Sequence, residues 1–378
     1  MFIVAVGCVS PGEYVRNGFK VGPNYCPPRA AAAKDWIDAG DSHLNTAETD
    51  LTEWWSVFQD PMLDRLVQTA MGQNLTLREA GYRVLQARAA RAIAAGNLFP
   101  QQQDAFGGEA RAAASAATAN TQLLADRFFD QWDAGFNLSW ELDFWGRFRR
   151  AIEAADADLD ASIANYDQAV VALLGDIAST YVEIRTLQTR IELIRENAQL
   201  QRETYVIADA RFRGGQVSEL DVDQADSALS QTEAAVPQLE LQLRQATNRL
   251  CVLLGVPPAD MAPLLGDGAI PAAPAEVVVG IPADLLRRRP DLRRAEREIQ
   301  AQSARVGIAE AELYPHIGIG GTLSYSAEHF DELFTPRAFQ GGVGPSFRWN
   351  ILNYGRLLNN IRLHDAKLAE RIVSYQNQ

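Results

Sequence analysis

Cysteine and histidine are scarce in this chain of 378 residues, and neither forms a pattern typical of a site. The three cysteines, Cys8, Cys26 and Cys251, are odd in number and far apart, so they indicate no disulfide framework and no metal site. The four histidines are equally dispersed, and the sequence has neither an HExxH helix nor a GxSxG elbow. We therefore expect a protein that is not an enzyme and holds no metal or dissociable cofactor.

Basic residues are in the minority, with 35 Lys and Arg against 48 Asp and Glu and a net charge of −13. Nucleic acid is not an expected partner, because binding it requires a basic face that neutralises phosphates. The sequence has no run of 18 apolar residues, so no transmembrane helix is predicted. A GxxxxGK[ST] phosphate loop is also missing, which leaves the chain without a nucleotide as energy source.

The N-terminus is typical of an export signal. Residues 1–7 are apolar and lead directly into Cys8, and the sequence Ala-Val-Gly-Cys approximates a bacterial lipoprotein signal. We expect a covalent lipid on Cys8, with residues 1–8 as signal remnant and lipidation site. No basic residue precedes Arg16, so we expect a truncated start. The alternative is a buried N-terminal strand with an incidental cysteine.

Residues 147–255 predict a very long α-hairpin. No proline occurs between Arg147 and Arg213, and apolar residues recur there every three or four positions, as in a coiled coil. One helix of that extent is roughly 100 Å long at about 1.5 Å per residue. Gly214 and Gly215 end it, and a second helix begins after Ser218. By itself this segment favours a soluble coiled-coil spacer.

Four other segments alternate with period two. The clearest is the strand predicted at 132–145, where from Trp132 to Phe144 apolar residues at even positions alternate with small or polar residues at odd positions. The others are about 100–113, 315–326 and 341–353. Strands of about 9–11 residues with aromatic ends and one polar face are typical of transmembrane β-strands. The polar side chains that we expect to face a lumen are Asp133, Asn137, Glu141, Asp143, Arg348 and Asn350.

The strands belong to an internal repeat. Leu98-Phe99-Pro100 matches Leu313-Tyr314-Pro315, and Trp145-Gly146-Arg147 matches Tyr354-Gly355-Arg356. The predicted segments are an N-terminal periplasmic or equatorial segment 9–60, a first repeat 61–255, a linker or equatorial segment 256–290, and an incomplete second repeat 291–378. By comparison with the first repeat, we expect that a second hairpin is missing.

Four strands cannot close a membrane barrel, because an open edge in lipid leaves backbone groups unpaired. Three copies would supply twelve. We therefore predict an α+β membrane protein. Its four strands per chain would contribute to a trimeric, 12-stranded transmembrane β-barrel, continued by a long antiparallel coiled-coil α-helical barrel.

Several motifs together carry a family resemblance. They include VGPNY at 21–25, WWSVFQDP at 54–61, LSWELDFWGR at 138–147 and RPDL at 289–292. The chain resembles the outer membrane factor family, the TolC-like efflux and secretion ducts. The similarity is greatest to the lipoprotein branch that serves tripartite, RND-type multidrug efflux systems.

The resemblance implies a passive, homotrimeric conduit that is lipid-anchored in the cell outer membrane and extends into the periplasm. Its implied partners are outer-membrane lipid, a periplasmic adaptor (membrane fusion protein) and an inner-membrane RND-type transporter. Its implied cargo is small molecules such as drugs and toxic compounds. The alternatives are a type I protein secretion duct, a soluble periplasmic coiled-coil scaffold or adaptor, and an inactive truncated remnant.

The resemblance also implies roles for residues at the tip of the hairpin. Asp221 and Asp223 are candidates for an acidic aperture. The residues expected to contact the adaptor are Arg213, Gly214, Gly215, Ser218, Leu220 and Asp221.

Overall fold

The computed structural model describes residues 10–28, 41, 44–45, 52–117, 126–273, 277–278 and 286–378. The predicted lipidation site at Cys8 lies outside these residues. The helices are α1 (Pro11–Arg16), α2 (Pro61–Gln73), α3 (Leu75–Gly96), α4 (Arg147–Arg213), α5 (Glu219–Leu253), α6 (Ala262–Leu265), α7 (Pro290–Ala311) and α8 (Arg356–Asn377). Within the described part of the chain, no helix is long and apolar enough to span a membrane.

The strands are β1 (Leu44–Asn45), β2 (Gln102–Ala113), β3 (Phe128–Glu141), β4 (Val277–Val278), β5 (His316–Ala327) and β6 (Phe339–Arg348). The chain forms two compact units. One contains Met1–Ala30, Val84–Ile163 and Leu292–Gln378, and the other contains Ala31–Arg83 and Ala164–Asp291. The first unit holds the four-stranded sheet, and the second holds a short parallel pairing of β1 with β4.

The four long strands form an antiparallel sheet in the order β2-β3-β5-β6. Asp133 lies opposite Ser326, and Asn137 lies opposite Thr322. Side chains directly opposite each other share a face, so these pairs build one polar face of the sheet. Phe136 and Leu323 are paired on the other, apolar face.

Two of the strands end earlier than the alternating pattern predicts. β3 ends at Glu141 rather than near residue 145, and β6 ends at Arg348 rather than near 353. Asp143 and Asn350, which we expected on strands, therefore lie beyond the strand ends, and this part of the prediction is wrong. Asp143 instead caps the start of α4, and a helix cap requires the chain to leave the sheet.

The second unit has its core along the predicted seam of α4. Ile177, Tyr181 and Ile184 are almost fully buried there and pack with Leu250 of α5 and Leu63 of α2. Helix α4 runs without interruption for 67 residues. Its stability comes from this packing of an apolar stripe, since intrinsic helix propensity contributes little by itself.

A buried arginine joins the helices of this unit to the loop after α6. Arg185 is 3% exposed and donates to the carbonyls of Leu265 and Gly266, at 2.8 and 2.7 Å. Its Nε lies 3.1 Å from the hydroxyl of Tyr181, which donates in turn to Asp60 at 2.7 Å. Asp60 caps α2. The buried charge is thus fully hydrogen-bonded, which is the condition under which burial is tolerated.

Candidate functional site

The tip of the α-hairpin is a tight, well-capped turn. Gly215 adopts a positive φ of 67° after the end of α4, a conformation that glycine reaches without a Cβ clash. The Asp221 carboxylate accepts hydrogen bonds from the backbone and the hydroxyl of Ser218, at 2.9 and 2.7 Å. These bonds to Ser218 lower the pKa of Asp221, so the carboxylate stays charged.

The surface of the tip is both apolar and charged. Leu220 is 63% exposed and Phe212 is 40% exposed. Arg213 pairs with Asp209 at 2.7 Å, and Asp221 and Asp223 are exposed. Exposed large apolar side chains beside charges are typical of a docking surface. The adaptor-contact and aperture roles of these residues stay predictions.

Four of the predicted lumen residues share the polar face of the sheet. Asn137 accepts a hydrogen bond from Thr322 at 2.6 Å, and Asp133 accepts one from Gln131 at 2.9 Å. Glu141 and Arg348 lie on the same face by register, since Glu141 pairs with Gly318 and Arg348 pairs with His316, two residues away on β5. Their exposure to a lumen stays a prediction.

Glu141 belongs to a cluster of charged and ionisable groups at the end of β3. Arg147 donates to it at 2.6 Å, and His316 Nδ1 lies 2.8 Å from its carboxylate. Arg147 also reaches Glu312 at 3.3 Å. These contacts tie β3, α4 and β5 together at one point. The ion pair with Arg147 offsets part of the charge of Glu141, and its role as a lumen acid stays a prediction.

Asp143 has a structural role that sequence reasoning missed. Its side chain is 7% exposed and accepts hydrogen bonds from the backbone of Phe148 and Arg149, at 2.9 and 3.1 Å. The Arg149 guanidinium pairs with it at 2.8 Å. An aspartate just before a helix is a known capping pattern and could have been recognised. Asn350 also lies beyond the end of its strand, and its backbone carbonyl lies 3.4 Å from the side-chain amide of Asn353.

The two repeats close their strand pairs with the same hydrogen bond. The indole of Trp140 donates to the carbonyl of Leu98 at 3.2 Å, and that of Trp349 donates to the carbonyl of Leu313 at 3.0 Å. Trp140 and Trp349 are 209 residues apart, and Leu98 and Leu313 are 215 apart, as in the sequence match. The repeat seen in the sequence is therefore a structural repeat.

Residues 10–28, which we call the N-terminal strap, cross the start of α4. Arg150 is 2% exposed and donates to the carbonyls of Val21 and Gly22, at 3.0 and 2.8 Å, and to Asn24 at 3.0 Å. Arg150 also pairs with Glu153 at 2.7 Å. Sequence reasoning missed Arg150, because nothing in its local pattern distinguishes it from the half-buried Arg147 and Arg149 beside it.

Close packing fixes the strap further. A Cβ on Gly22 would collide with Gly307 of α7, and one on Gly146 would collide with Lys20. Lys20 also pairs with Glu153. Burial raises the pKa of Glu153, but hydrogen bonds from Lys20 and Arg150 outweigh it and hold that pKa below its usual range. Glu153 is therefore a permanent negative partner between two cations.

A sheet with one apolar face, joined through helix caps to a coiled-coil hairpin, is the architecture of an outer-membrane channel subunit. The chain belongs to the family described as outer membrane efflux protein, which matches residues 66–256 and 281–378. Nodulation protein T of Rhizobium leguminosarum bv. trifolii is 33% identical over 365 residues, covering 95% of this chain and 75% of that protein.

Two further relatives cover nearly all of the chain. The probable outer membrane lipoprotein SilC of Salmonella typhimurium is 28% identical, covering 100% of this chain and 78% of that protein. The solved structure of the outer-membrane channel OprN matches with a TM-score of 0.86 at 32% identity, covering 95% of this chain and 79% of that one.

These similarities confirm the predicted TolC-like fold, the outer-membrane location and the function as the outer-membrane channel of an efflux system. The alternative of a soluble periplasmic scaffold is wrong. The family is one of channels rather than enzymes.

Proposed function

We propose that three copies of the chain form a passive conduit for small molecules, with a closed barrel of twelve strands. It would receive its cargo from an RND-type transporter through a periplasmic adaptor. The sheet is the observation that carries the proposal. Its edge strands β2 and β6 have no outer partner among the described residues, and in a membrane such edges require strands from other chains.

The apolar face of the sheet supports a lipid-facing position. On β6, Phe339, Val343 and Phe347 are 52%, 56% and 75% exposed and share one face, whereas Ser346 lies on the polar face. Apolar side chains outside and polar side chains inside are the pattern of a membrane barrel.

The hairpin tip is the proposed docking surface for the adaptor. Leu220 and Phe212 would provide the apolar contact, and Arg213, Gly214, Gly215, Ser218 and Asp221 would frame it. Asp221 and Asp223 are the proposed acids of the periplasmic aperture, where their charge would repel anionic cargo. A lipid on Cys8 would anchor the N-terminus, as the sequence of residues 1–8 and the lipoprotein SilC suggest.

The test is the heat-dependent gel mobility of the protein in isolated outer membranes. Val343→Arg places a charge on the proposed lipid face and should abolish the SDS-resistant trimer, because arginine at mid-membrane costs about 2–4 kcal/mol. Ser346→Arg, three residues away on the polar face, should leave the trimer intact. Monomer throughout, or equal losses in the two variants, would refute the barrel.

Docking of the tip needs a separate test. Leu220→Asp should abolish efflux of a fluorescent substrate from cells while the trimer remains. The matched control is Ser227→Asp, at an exposed position two turns further along α5. Undiminished efflux by the Leu220 variant would exclude the tip as the site of adaptor contact.

A further inference from the structure

The chain passes from strand to helix twice, from β3 into α4 at the first junction and from β6 into α8 at the second. Corresponding residues are buried or packed at the first junction and exposed at the second. A shift of 209 residues relates Asp143 to Leu352 and Trp145 to Tyr354. At the first junction, Asp143 is 7% exposed and Trp145 stacks on Tyr314, with ring centroids 4.5 Å apart. At the second junction, Leu352 is 79% and Tyr354 97% exposed.

Further apolar residues follow the end of β6 at the second junction and are exposed. Past the end of β6, Trp349 and Ile351 are 51% and 70% exposed. Leu352 and Tyr354 follow. Apolar and aromatic residues at the end of a membrane strand are typical of the bilayer interface, where their rings lie at the level of the headgroups.

At the first junction, the strap covers the inward-turned residues. The ring of Tyr14 packs at 5.7 Å from that of Trp145, and its hydroxyl donates to the carbonyl of Phe144. Arg149 donates to the carbonyls of Gly18 and Phe19, at 2.6 and 2.7 Å. The strap is thus held on the junction by the side chain of Tyr14 and by its backbone carbonyls.

Two apolar side chains of the strap are exposed. Val15 is 56% exposed and Phe19 is 53% exposed, and the ring of Phe19 lies 5.5 Å from that of Tyr14. Phe19 has a φ of 60°, and Tyr354 at the other junction has a φ of 51°. Bulky side chains rarely adopt positive φ, and such strain is maintained where the position of the side chain matters. Both residues with this conformation carry an exposed aromatic side chain.

We infer that Val15 and Phe19 of the strap insert into the phospholipid surface of the periplasmic leaflet. There they complete the interfacial belt that Leu352 and Tyr354 provide at the second junction. The inference rests on the proposed barrel, because both surfaces lie where its strands β3 and β6 end. Exposed Arg16, beside Val15, suits phospholipid headgroups, which carry phosphate.

The test uses nitroxide labels on the full-length trimer in vesicles of phosphatidylethanolamine and phosphatidylglycerol. Val15→Cys and Phe19→Cys are made separately with Cys8→Ser and Cys26→Ser, while the fully buried Cys251 remains. Collision with oxygen reports the bilayer, and collision with a nickel chelate reports water. Native Cys26, exposed on the strap, is the aqueous reference, and Val343→Cys is the lipid reference.

We expect the oxygen-to-nickel ratio at positions 15 and 19 to be several-fold higher than at Cys26 and similar to that of Tyr354→Cys. A ratio equal to that at Cys26 would place the strap in water and overturn the inference. Few collisions with either reagent would show that protein covers the two side chains, which would also overturn it. If the label at position 343 itself avoids lipid, the proposed barrel fails, and the inference fails with it.

Discussion

At the first junction the chain passes from β3 into α4 beneath the N-terminal strap, whereas at the second it passes from β6 into α8 with no described segment above it. Both junctions keep the same indole-to-carbonyl hydrogen bond and the same glycine at positive φ, Gly146 at 81° and Gly355 at 78°. The repeated junction therefore keeps its backbone geometry, while the segment that covers it at the first junction, the strap, comes from another part of the chain.

The largest effect should come from breaking the contact that only the first junction has. Arg150→Met leaves the buried carbonyls of Val21 and Gly22 without donors, and should lower the free energy of unfolding by about 3 kcal/mol. The position that corresponds to Arg150 in the second repeat is Asn359. The readouts are the heat-dissociation temperature of the trimer and the rate of proteolysis within residues 10–28.

The control for Arg150 is Arg362→Met, because Arg362 is an exposed arginine of α8. Its replacement should change the free energy of unfolding by less than about 0.5 kcal/mol. Equal effects of the two substitutions would show that the strap does not depend on Arg150.

The next prediction compares two corresponding aromatic residues, the packed Trp145 and the exposed Tyr354. Trp145→Ala removes a ring stack and a 2.9 Å hydrogen bond to the carbonyl of Pro315, and should cost about 2 kcal/mol. Tyr354→Ala should cost less than about 0.5 kcal/mol in detergent, because Tyr354 is 97% exposed. Denaturant unfolding of both variants measures the difference in the free energy of unfolding. A larger loss for the Tyr354 variant than for the Trp145 variant would contradict the packing of Trp145 and the exposure of Tyr354.

A smaller effect tests what the junctions share. Trp140→Phe and Trp349→Phe each remove one indole donor, and each should cost about 1 kcal/mol. The loss should be somewhat greater for Trp140, whose hydrogen bond is partly buried, than for Trp349, which is 51% exposed. If only one substitution alters the free energy of unfolding, the two hydrogen bonds are not equivalent.

The smallest expected effect depends on pH. Burial raises the pKa of Glu310, and the neighbouring Asp365 raises it further. A carboxyl group whose pKa is raised by folding stabilises the fold at acidic pH, and this contribution is lost as the pH rises through the folded pKa. Glu310→Gln should therefore slow amide exchange in residues 10–28 at neutral pH and have no effect in acid.

The control for Glu310 is Glu370→Gln, which changes an exposed carboxylate of α8. Its effect on amide exchange should be negligible at both pH values. An effect of Glu310→Gln that grows on acidification would have the wrong sign and would contradict the burial of Glu310.

The sequence predicted the hairpin closely, because heptad spacing and the absence of proline leave few alternatives for residues 147–213. It also predicted which residues share a face of the sheet, since period-two alternation sets the face of each side chain. The ends of β3 and β6 were not predictable in this way. Leu142 and Phe144 continue the alternation beyond the end of β3, so the pattern does not mark where the strand ends.

The role of Arg150 could not be predicted from the sequence. It donates to backbone carbonyls more than a hundred residues away. Every residue type has a backbone carbonyl, so the identity of the residues does not reveal these partners. Asp143 is a different case. Alternation placed it on the polar face of a strand, whereas its position just before α4 predicts a cap, and the cap is what the structure shows.

The contact between Gly22 and Gly307 also has a consequence for the order of synthesis. The two residues are 285 positions apart, so the strap cannot reach its place until α7 has been made and exported. Contacts of such long sequence separation form late, because closing the intervening loop costs entropy. The strap, which leaves the ribosome before either repeat, is therefore among the last segments to be fixed in the folded chain.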